Sequence, residues 1–344
     1  MTRPPRMIRA ALLGAVALGS VTTAVQAQGV VDKIKQRGYM VCGASQGVPG
    51  MSLPDEKGVW SGYDVDVCRA IAVAILGSHD KTRFVPLNAA QRLPAIQTGE
   101  IDVLSRTTTI TYSRDAAVRF AARSQYDNDG LLIRKSLGVK QKKQLDGLTV
   151  CLQGGGSLTE QAIDEVEEDE KIKMKRVYFD STIQARDAYF AGRCDSYVTD
   201  GVAAAGQRAK VAKNPDEHDI IVVGHAAEPN GVAIARGDDQ MFDIVRWTWN
   251  LLVWAEEHKI TSANIDQRIK TANKEEKRVL GEANDGFGKP LKLDDKWAYN
   301  VIKQIGNLDE IWERNVGERT PLKVARGMNA LHKNGGVNFP LPWN

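Results

Sequence analysis

Histidine and cysteine are scarce in this chain of 344 residues, which contains 5 His and 4 Cys. The histidines are scattered, and neither the His-Glu-x-x-His nor the Cys-x-x-Cys spacing occurs, so the sequence predicts no metal site. One glycine run, Gly154-Gly155-Gly156, resembles a phosphate-binding loop, but no Gly-Lys-Ser/Thr follows it. We therefore expect a protein that works without a metal or an organic cofactor.

An excess of charge is also absent once the N-terminus is set aside. Residues 1–27 contain three arginines ahead of an apolar run over 10–18, and Val25-Gln26-Ala27 suits a signal peptidase, so we interpret them as a secretory signal peptide. Its removal takes away three arginines and no acid, so the 46 basic residues fall to 43, equal to the 43 acidic ones. The mature chain gives no reason to expect nucleic acid or an anionic membrane as a partner. No later stretch is long and apolar enough to suggest a membrane span.

A unit of helix, glycine and strand occurs twice, at residues 92–105 and 185–198. In each copy a glycine, Gly99 or Gly192, follows the last helical turn, where a left-handed cap favours a residue without Cβ. An aspartate three residues further on precedes an apolar run suited to a buried strand. Each copy therefore predicts the end of an αβ unit.

The parallel extends upstream of both copies, because each is preceded by a strand, a helix and a second strand in the same order. These elements are predicted at 40–43, 64–76 and 83–86 in the first half, and at 149–152, 158–168 and 175–179 in the second. Two βαβαβ halves predict two α/β lobes. The crevice between two such lobes collects strand C-termini and helix N-termini, which favour small anionic or zwitterionic ligands.

The cysteines divide evenly between the halves, with Cys42 and Cys68 in the first and Cys151 and Cys194 in the second. An even count in an exported protein favours disulfides. Pairing within each half is the simplest of the three connectivities, and it closes loops of roughly 27 and 44 residues, each worth on the order of 3 to 4 kcal/mol in the chain-entropy model. We predict that connectivity.

The segment 104–115 directly follows the first duplicated strand and combines hydroxyls with two arginines. Thr107 and Thr109 offer hydrogen bonds to a carboxylate, and Arg114 offers a bidentate grip on it. The alternative interpretation is a threonine-rich loop with a helix cap at Ser113. Segment 104–115 alone does not decide between the two.

A family resemblance emerges from the order of these features together with several longer motifs. The chain resembles the amino-acid substrate-binding proteins of ABC importers, which form solute-binding protein family 3, and within them the general L-amino-acid-binding branch. The family resemblance rests on Gly62-Tyr63-Asp64-Val65-Asp66, Gly99-Glu100-Ile101-Asp102-Val103, the threonine run ending in Arg114, and the segment from Asp195 to Asp200. The branch resemblance rests on Asp66-Val67-Cys68-Arg69-Ala70, Gly192-Arg193-Cys194-Asp195, Gly237-Asp238-Asp239-Gln240, Trp297-Ala298-Tyr299-Asn300 and Glu313-Arg314-Asn315-Val316-Gly317.

The resemblance implies an α/β fold of the type II periplasmic binding protein class, a two-lobed clamp in which each lobe is a mixed sheet flanked by helices. Two crossover strands, near 130–134 and 230–236, would join the lobes. Lobe 1 would comprise residues 29–131 plus 235–344, and lobe 2 residues 132–234. The resemblance also implies a monomer in the periplasm, whose partners are a free amino acid and a membrane permease.

Ligand contacts are carried over to matching positions. Arg114 would hold the ligand α-carboxylate with Thr107 and Thr109, and Asp200 would accept hydrogen bonds from the α-ammonium. Ser157, Thr159 and Ser45 complete the expected set, with Glu160 as a cap for the helix that follows the glycine run. Arg92 stands where binders of acidic amino acids place an arginine toward the side-chain carboxylate.

Specificity for cationic side chains is not expected, because Val48 and Ala89 occupy the positions where histidine- and arginine-binding relatives carry aromatic clamps. The resemblance and Arg92 together predict a broad preference in which polar or acidic side chains are favoured.

Two other functions remain open at this point. One is a periplasmic enzyme on the same clamp, resembling the cyclohexadienyl dehydratases that act on prephenate or arogenate, although no general acid can be identified. The other is a sensor partner for a receptor. Asp64 and Asp66 suggest a pair of catalytic carboxylates, but at a helix N-terminus we interpret them as caps that complement the helix dipole.

Overall fold

The computed structural model describes residues 1–2 and 29–343. The predicted signal peptide thus lies, apart from its first two residues, outside the described part of the chain. None of the helices in the described ranges has the length and apolarity needed to cross a membrane.

The first half of the chain alternates strands and helices up to a long strand. Its elements are α1 (Val30–Arg37), β1 (Met40–Ala44), β2 (Leu53–Pro54), β3 (Trp60–Ser61), α2 (Tyr63–Leu76), β4 (Thr82–Pro86), α3 (Arg92–Thr98), β5 (Val103–Leu104), α4 (Tyr112–Ala117) and β6 (Arg119–Arg134).

The second half repeats the alternation and also ends on a long strand, after which only helices and short turns follow. Its elements are β7 (Thr149–Gln153), α5 (Thr159–Glu170), β8 (Lys175–Phe179), α6 (Thr182–Phe190), β9 (Ser196–Asp200), α7 (Gly201–Lys210) and β10 (His218–Ile234). The C-terminal helices are α8 (Asp239–Glu257), α9 (Ile265–Arg268), α10 (Lys274–Val279), α11 (Trp297–Ile305) and α12 (Leu308–Asn315).

One mixed sheet of eight strands runs through both halves in the order β4-β1-β5-β10-β6-β9-β7-β8. The outer trios β4-β1-β5 and β8-β7-β9 are each parallel, and the long strands β10 and β6 lie antiparallel between them. In both trios the first strand of the half lies between the second and the third. The two predicted βαβαβ units are therefore present, with the same strand order.

The duplicated glycine and aspartate have the same structural roles in both copies. Gly99 and Gly192 have φ of 76° and 82°, in the left-handed region that follows a helix end. Asp102 Oδ2 accepts a hydrogen bond from Val41 N at 2.7 Å, and Asp195 Oδ2 accepts one from Thr149 N at 2.8 Å. Each aspartate thus pairs the N–H at the start of the neighbouring first strand, which the ladder alone would leave unpaired.

Both predicted disulfides are present, Cys42–Cys68 and Cys151–Cys194, with Cα–Cα distances of 6.3 and 5.7 Å. Cys42–Cys68 joins β1 to α2, and Cys151–Cys194 joins β7 to the loop between α6 and β9.

The C-terminal helices pack against the helices of the first half. α11 and α12 both contact α2 and α8, and Trp254, Trp297 and Trp312 are each only 1% exposed in the resulting core. This large core includes Met40 and Cys42 of β1 and Val103 of β5, so one face of each strand is buried against it.

Candidate functional site

A small cavity of about 30 Å³ lies where β5, β6, β9 and β10 meet the loops that follow β1 and β7. Eight residues that the sequence analysis predicts as ligand contacts all line it, namely Ser45, Arg92, Thr107, Thr109, Arg114, Ser157, Thr159 and Asp200. They come from both halves of the chain, so folding brings together residues that are up to 155 positions apart.

Arg114 connects the threonine loop to the opposite half. Its Nη1 donates to the Thr109 carbonyl at 2.9 Å, and its Nη2 donates to the Gly156 carbonyl at 2.7 Å. Thr111, rather than Ser113, caps α4, because Thr111 Oγ1 accepts from Arg114 N. Burial lowers the pKa of Arg114, and the nearby carboxylates of Glu228 and Asp200 oppose that shift. The Arg114 guanidinium is therefore a buried cation in the cavity wall, held in place by two backbone carbonyls.

Hydrogen bonds to acidic side chains hold the loop that precedes Arg114. Thr107 has φ of 30°, an uncommon conformation for a residue with a branched Cβ, and its N–H donates to Asp64. The Thr107 hydroxyl bonds to Asp200, and Thr109 Oγ1 donates to Glu228 Oε2 at 2.6 Å. The hydroxyls of the two predicted carboxylate donors are thus engaged with protein carboxyl groups.

Asp64 and Asp66 do not cap α2, which corrects the sequence interpretation. Gly62 occupies the N-cap and no side chain caps the helix. Asp64 Oδ1 instead accepts from Ser105 Oγ at 2.9 Å, and burial raises the pKa of Asp64 to about 7. Asp66 Oδ2 accepts hydrogen bonds from Arg314 Nε and Asn315 Nδ2, both at 2.7 Å. Both residues hold structure together.

Arg92, the first residue of α3, is only 4% exposed. Its Nη1 makes a long contact of 3.4 Å with Thr108 Oγ1, and its Nε has no hydrogen-bond partner among the described residues. Burial lowers its pKa well below the ordinary value, and the nearby cations Arg106 and Arg114 lower it further. Arg92 is therefore a buried cation with unused donors in the cavity wall.

Four charged residues of the site escape the sequence analysis. Arg106 is 6% exposed, lies within the segment that carries the threonines, and donates from Nε to the Leu87 carbonyl at 2.9 Å. The others are acids on the two long strands, Asp127 and Asp129 on β6 and Glu228 on β10. The sequence contains a signal for the two aspartates alone, since their i, i+2 spacing places Asp127 and Asp129 on one face of a strand.

The residues around the glycine run differ from expectation in one respect. Ser157 Oγ and Thr159 Oγ1 lie 3.0 Å apart at the start of α5, as a hydroxyl pair facing the cavity. Glu160 does not cap the helix, since its carboxylate instead bonds to the Tyr178 hydroxyl and pairs with Arg176. The prediction of a Glu160 cap was wrong because a tyrosine and an arginine on the neighbouring β8 compete for the carboxylate.

The positions without aromatic clamps are buried and small. Val48 lines the cavity and Ala89 is 8% exposed. No group of three or more His, Cys, Asp or Glu side chains with the geometry to hold a metal occurs in the described ranges.

Comparison with known proteins gives the family. The model of the bacterial extracellular solute-binding proteins, family 3, matches residues 40–297. The General L-amino acid-binding periplasmic protein AapJ of Rhizobium johnstonii is 42% identical over 335 residues, which cover 96% of this chain and 97% of that protein. The Glutamate/glutamine/aspartate/asparagine-binding protein BztA of Rhodobacter capsulatus is 37% identical over 342 residues, covering 98% of this chain and 100% of BztA.

A solved structure agrees over nearly the same extent. An ABC transporter / periplasmic binding protein from Brucella ovis with glutathione bound superposes with a TM-score of 0.88, at 41% identity, and covers 92% of this chain and 99% of that one. This chain is thus an α/β protein with the two-lobed architecture of type II periplasmic binding proteins. It belongs to the bacterial extracellular solute-binding proteins, family 3, as its sequence motifs predict.

Proposed function

We propose that this protein is the periplasmic solute-binding component of an ABC importer, which binds free L-amino acids between its two lobes and delivers them to a membrane permease. The observation that carries the proposal is a pair of opposite charges on one small cavity, the Arg114 guanidinium and the Asp200 carboxyl group. A bound zwitterion requires one fixed cation and one fixed anion as partners. Leaving a charge unpaired costs more free energy in a buried site than at the surface, so the two protein charges favour such a ligand.

The proposal assigns the lobes as residues 29–131 plus 235–344 and residues 132–234, with the ligand gripped from both. Arg114 and the threonines hold the α-carboxylate, Asp200 holds the α-ammonium, and Ser45, Ser157 and Thr159 add hydrogen bonds. The bond from Arg114 to the Gly156 carbonyl supports this assignment, since Gly156 belongs to the second half of the chain.

The preferred ligands are polar or acidic amino acids, and others are tolerated. Arg92 supports this preference, because its unused donors suit a side-chain carboxylate or amide. The names of AapJ and BztA agree with a broad and a Glu/Gln/Asp/Asn preference respectively. The glutathione in the Brucella ovis protein suggests a further ligand, since the γ-glutamyl end of glutathione carries the same α-ammonium and α-carboxylate.

Calorimetric titration tests the function. The protein would be unfolded and refolded to remove any ligand acquired during expression, then titrated with the twenty amino acids and with glutathione. We expect saturable binding of several amino acids, strongest among polar and acidic ones. Binding confined to lysine or arginine would contradict the assigned pocket, and no binding of any amino acid would refute the function.

The enzymatic alternative is not favoured, because the similar proteins are named as binding components of transport systems. Incubation with prephenate or arogenate is the direct check, and formation of an aromatic product would support a dehydratase. Light scattering would test the proposed monomer, and stimulation of ATP hydrolysis by a reconstituted permease would test the proposed partner.

A further inference from the structure

Two carboxyl groups face each other across neighbouring strands in the wall of the cavity. Asp129 on β6 and Asp200 on β9 are direct partners in the antiparallel register. Directly opposed residues place their Cβ atoms about 4.5–5.5 Å apart on the same face, where like charges destabilise the pair. Both side chains line the cavity. A sheet gains nothing from this arrangement, so it requires another explanation.

Among the residues that the structure describes, Asp129 has no partner that would neutralise it. It is 4% exposed, and within the described part of the chain it makes no side-chain hydrogen bond and no ion pair. Asp200 likewise has no ion pair there, although the Thr107 hydroxyl bonds to it. Buried carboxylates are normally paired, because burial without a partner is costly.

The surroundings of Asp129 make the case stronger, because described acids lie near it on its own strand and on three other elements. They are Asp127 on its own strand, Asp200 on β9, Glu228 on β10 and Glu165 on α5. Asp127 differs from Asp129 in being satisfied, since its carboxylate accepts from Asn128 N at 2.9 Å and Val202 N at 3.1 Å. The cations Arg92, Arg106 and Arg114 act on Asp200, on the far side of the pair.

We infer that Asp129 is a second binding residue for the ligand ammonium, which Asp129 and Asp200 hold together. An ammonium group has three N–H donors, and two opposed carboxylates accept them better than one. The inference rests on the proposed function, and it assigns to Asp129 a role that no sequence motif indicates. It also explains why a cavity wall keeps an acidic pair with no protein cation between its members.

The same geometry couples ligand binding to proton release. Burial raises the pKa of Asp129 to about 9, and the negative charges of Asp200 and Glu228 add to the increase. Without a ligand the pair therefore retains a proton near neutral pH. An incoming ammonium favours the ionised form, so the carboxyl proton passes to the solvent while the ammonium keeps its own three. Ligand capture then releases up to one proton per amino acid.

Calorimetry in two buffers of different ionisation heat measures that proton. The ligand is L-glutamine, whose side chain does not titrate. For the wild type at near-neutral pH we expect release of a substantial fraction of one proton. Asp129→Asn should weaken glutamine binding by about 10- to 150-fold, the effect of losing a hydrogen bond to a charged group, and should sharply reduce the release. Asp219→Asn, an exposed aspartate on β10 outside the cavity, is the matched control and should change neither quantity.

Four outcomes decide the matter. Weakened binding with loss of proton release in a folded Asp129→Asn variant supports the inference. Binding within about threefold of wild type together with unchanged proton release would overturn it and leave the proposed function intact. Failure of the wild type to bind any amino acid would overturn the proposed function and this inference with it. Glutaramic acid, which lacks the amino group, should bind wild type and Asp129→Asn equally weakly, and a difference between them would also contradict the inference.

Discussion

Removal of the Arg114 guanidinium is the most direct test of the site. This group donates to the carbonyls of Thr109 and Gly156 at 2.9 and 2.7 Å. On the proposed function, an entering ligand carboxylate would form two charge-assisted bonds with Arg114, and at most the Gly156 bond would be given up. Each such bond is worth about 1.5 to 3 kcal/mol, so the net gain is at least one bond, and the carboxylate left unpaired in the variant adds to the loss.

We therefore expect Arg114→Ala to cost about 2 to 5 kcal/mol of binding free energy, which corresponds to roughly 30-fold to several-thousand-fold in affinity. Arg114→Lys should be nearly as poor, because an ammonium group cannot make two parallel bonds to a carboxylate. Calorimetric titration with glutamine and with alanine measures both variants, since both ligands present the same α-carboxylate.

The matched control is Arg123→Ala, which removes an exposed arginine of β6 whose Nη1 contacts the Tyr126 hydroxyl outside the cavity. It should bind as the wild type does. If Arg114→Ala binds either ligand within about threefold of wild type while its thermal transition stays cooperative, the assignment of the α-carboxylate to Arg114 is wrong.

Three further predictions concern selectivity, oxidation state and pH. Arg92→Ala should reduce affinity for glutamate by about 10- to 150-fold and for alanine by less than about threefold, since alanine offers its donors no acceptor; equal losses in parallel titrations would make Arg92 structural. The secreted protein should contain no free thiol, and peptide mapping without reduction should recover the two disulfides of the structure; labelling of any cysteine in unreduced, denatured protein would contradict this. Because the folded state keeps the Asp129 proton up to a pKa of about 9 and the unfolded chain loses it near 3.8, this residue makes the ligand-free fold less stable as pH rises between those values. The gain in melting temperature from Asp129→Asn should thus be larger at about pH 8 than at about pH 5, and a gain independent of pH would show that the group is already ionised.

The sequence contains enough local information for the repeated architecture. Short stretches of sequence suffice to predict the glycine that ends a helix, the aspartate that precedes a strand and the βαβαβ order. Because the unit occurs twice, each copy supports the interpretation of the other. The disulfides follow from the same reasoning, because the cysteines occupy elements that the pattern places side by side. Prediction of the ligand residues also requires the family resemblance, because the proposed roles of Arg114 and Asp200 are inferred from the matching positions of the family.

The acidic residues in the cavity wall could not be predicted from local sequence patterns. Asp129 meets Asp200 only through the register of β6 with β9, a contact between residues 71 positions apart. Nor does a sequence reveal that Asp127 finds two backbone N–H partners while Asp129 finds none. Glu160 and Asp64 illustrate the same limit, since both sit where a local rule predicts a helix cap and both bind distant side chains instead.

The matched roles of Asp102 and Asp195 have a consequence for how the molecule opens. Each aspartate bonds to the first strand of its own half, and each half has its own disulfide. The described hydrophobic clusters around Val150 and around Cys151 contain no residue of β1, β4 or β5. Amide hydrogen exchange of the ligand-free protein should therefore resolve two cooperative units with different opening free energies. An amino acid held from both sides would penalise the opening of either unit by its binding free energy. Saturation with ligand should thus slow exchange in both units together, so that the exchange pattern reports occupancy of the cleft from amides that never touch the ligand.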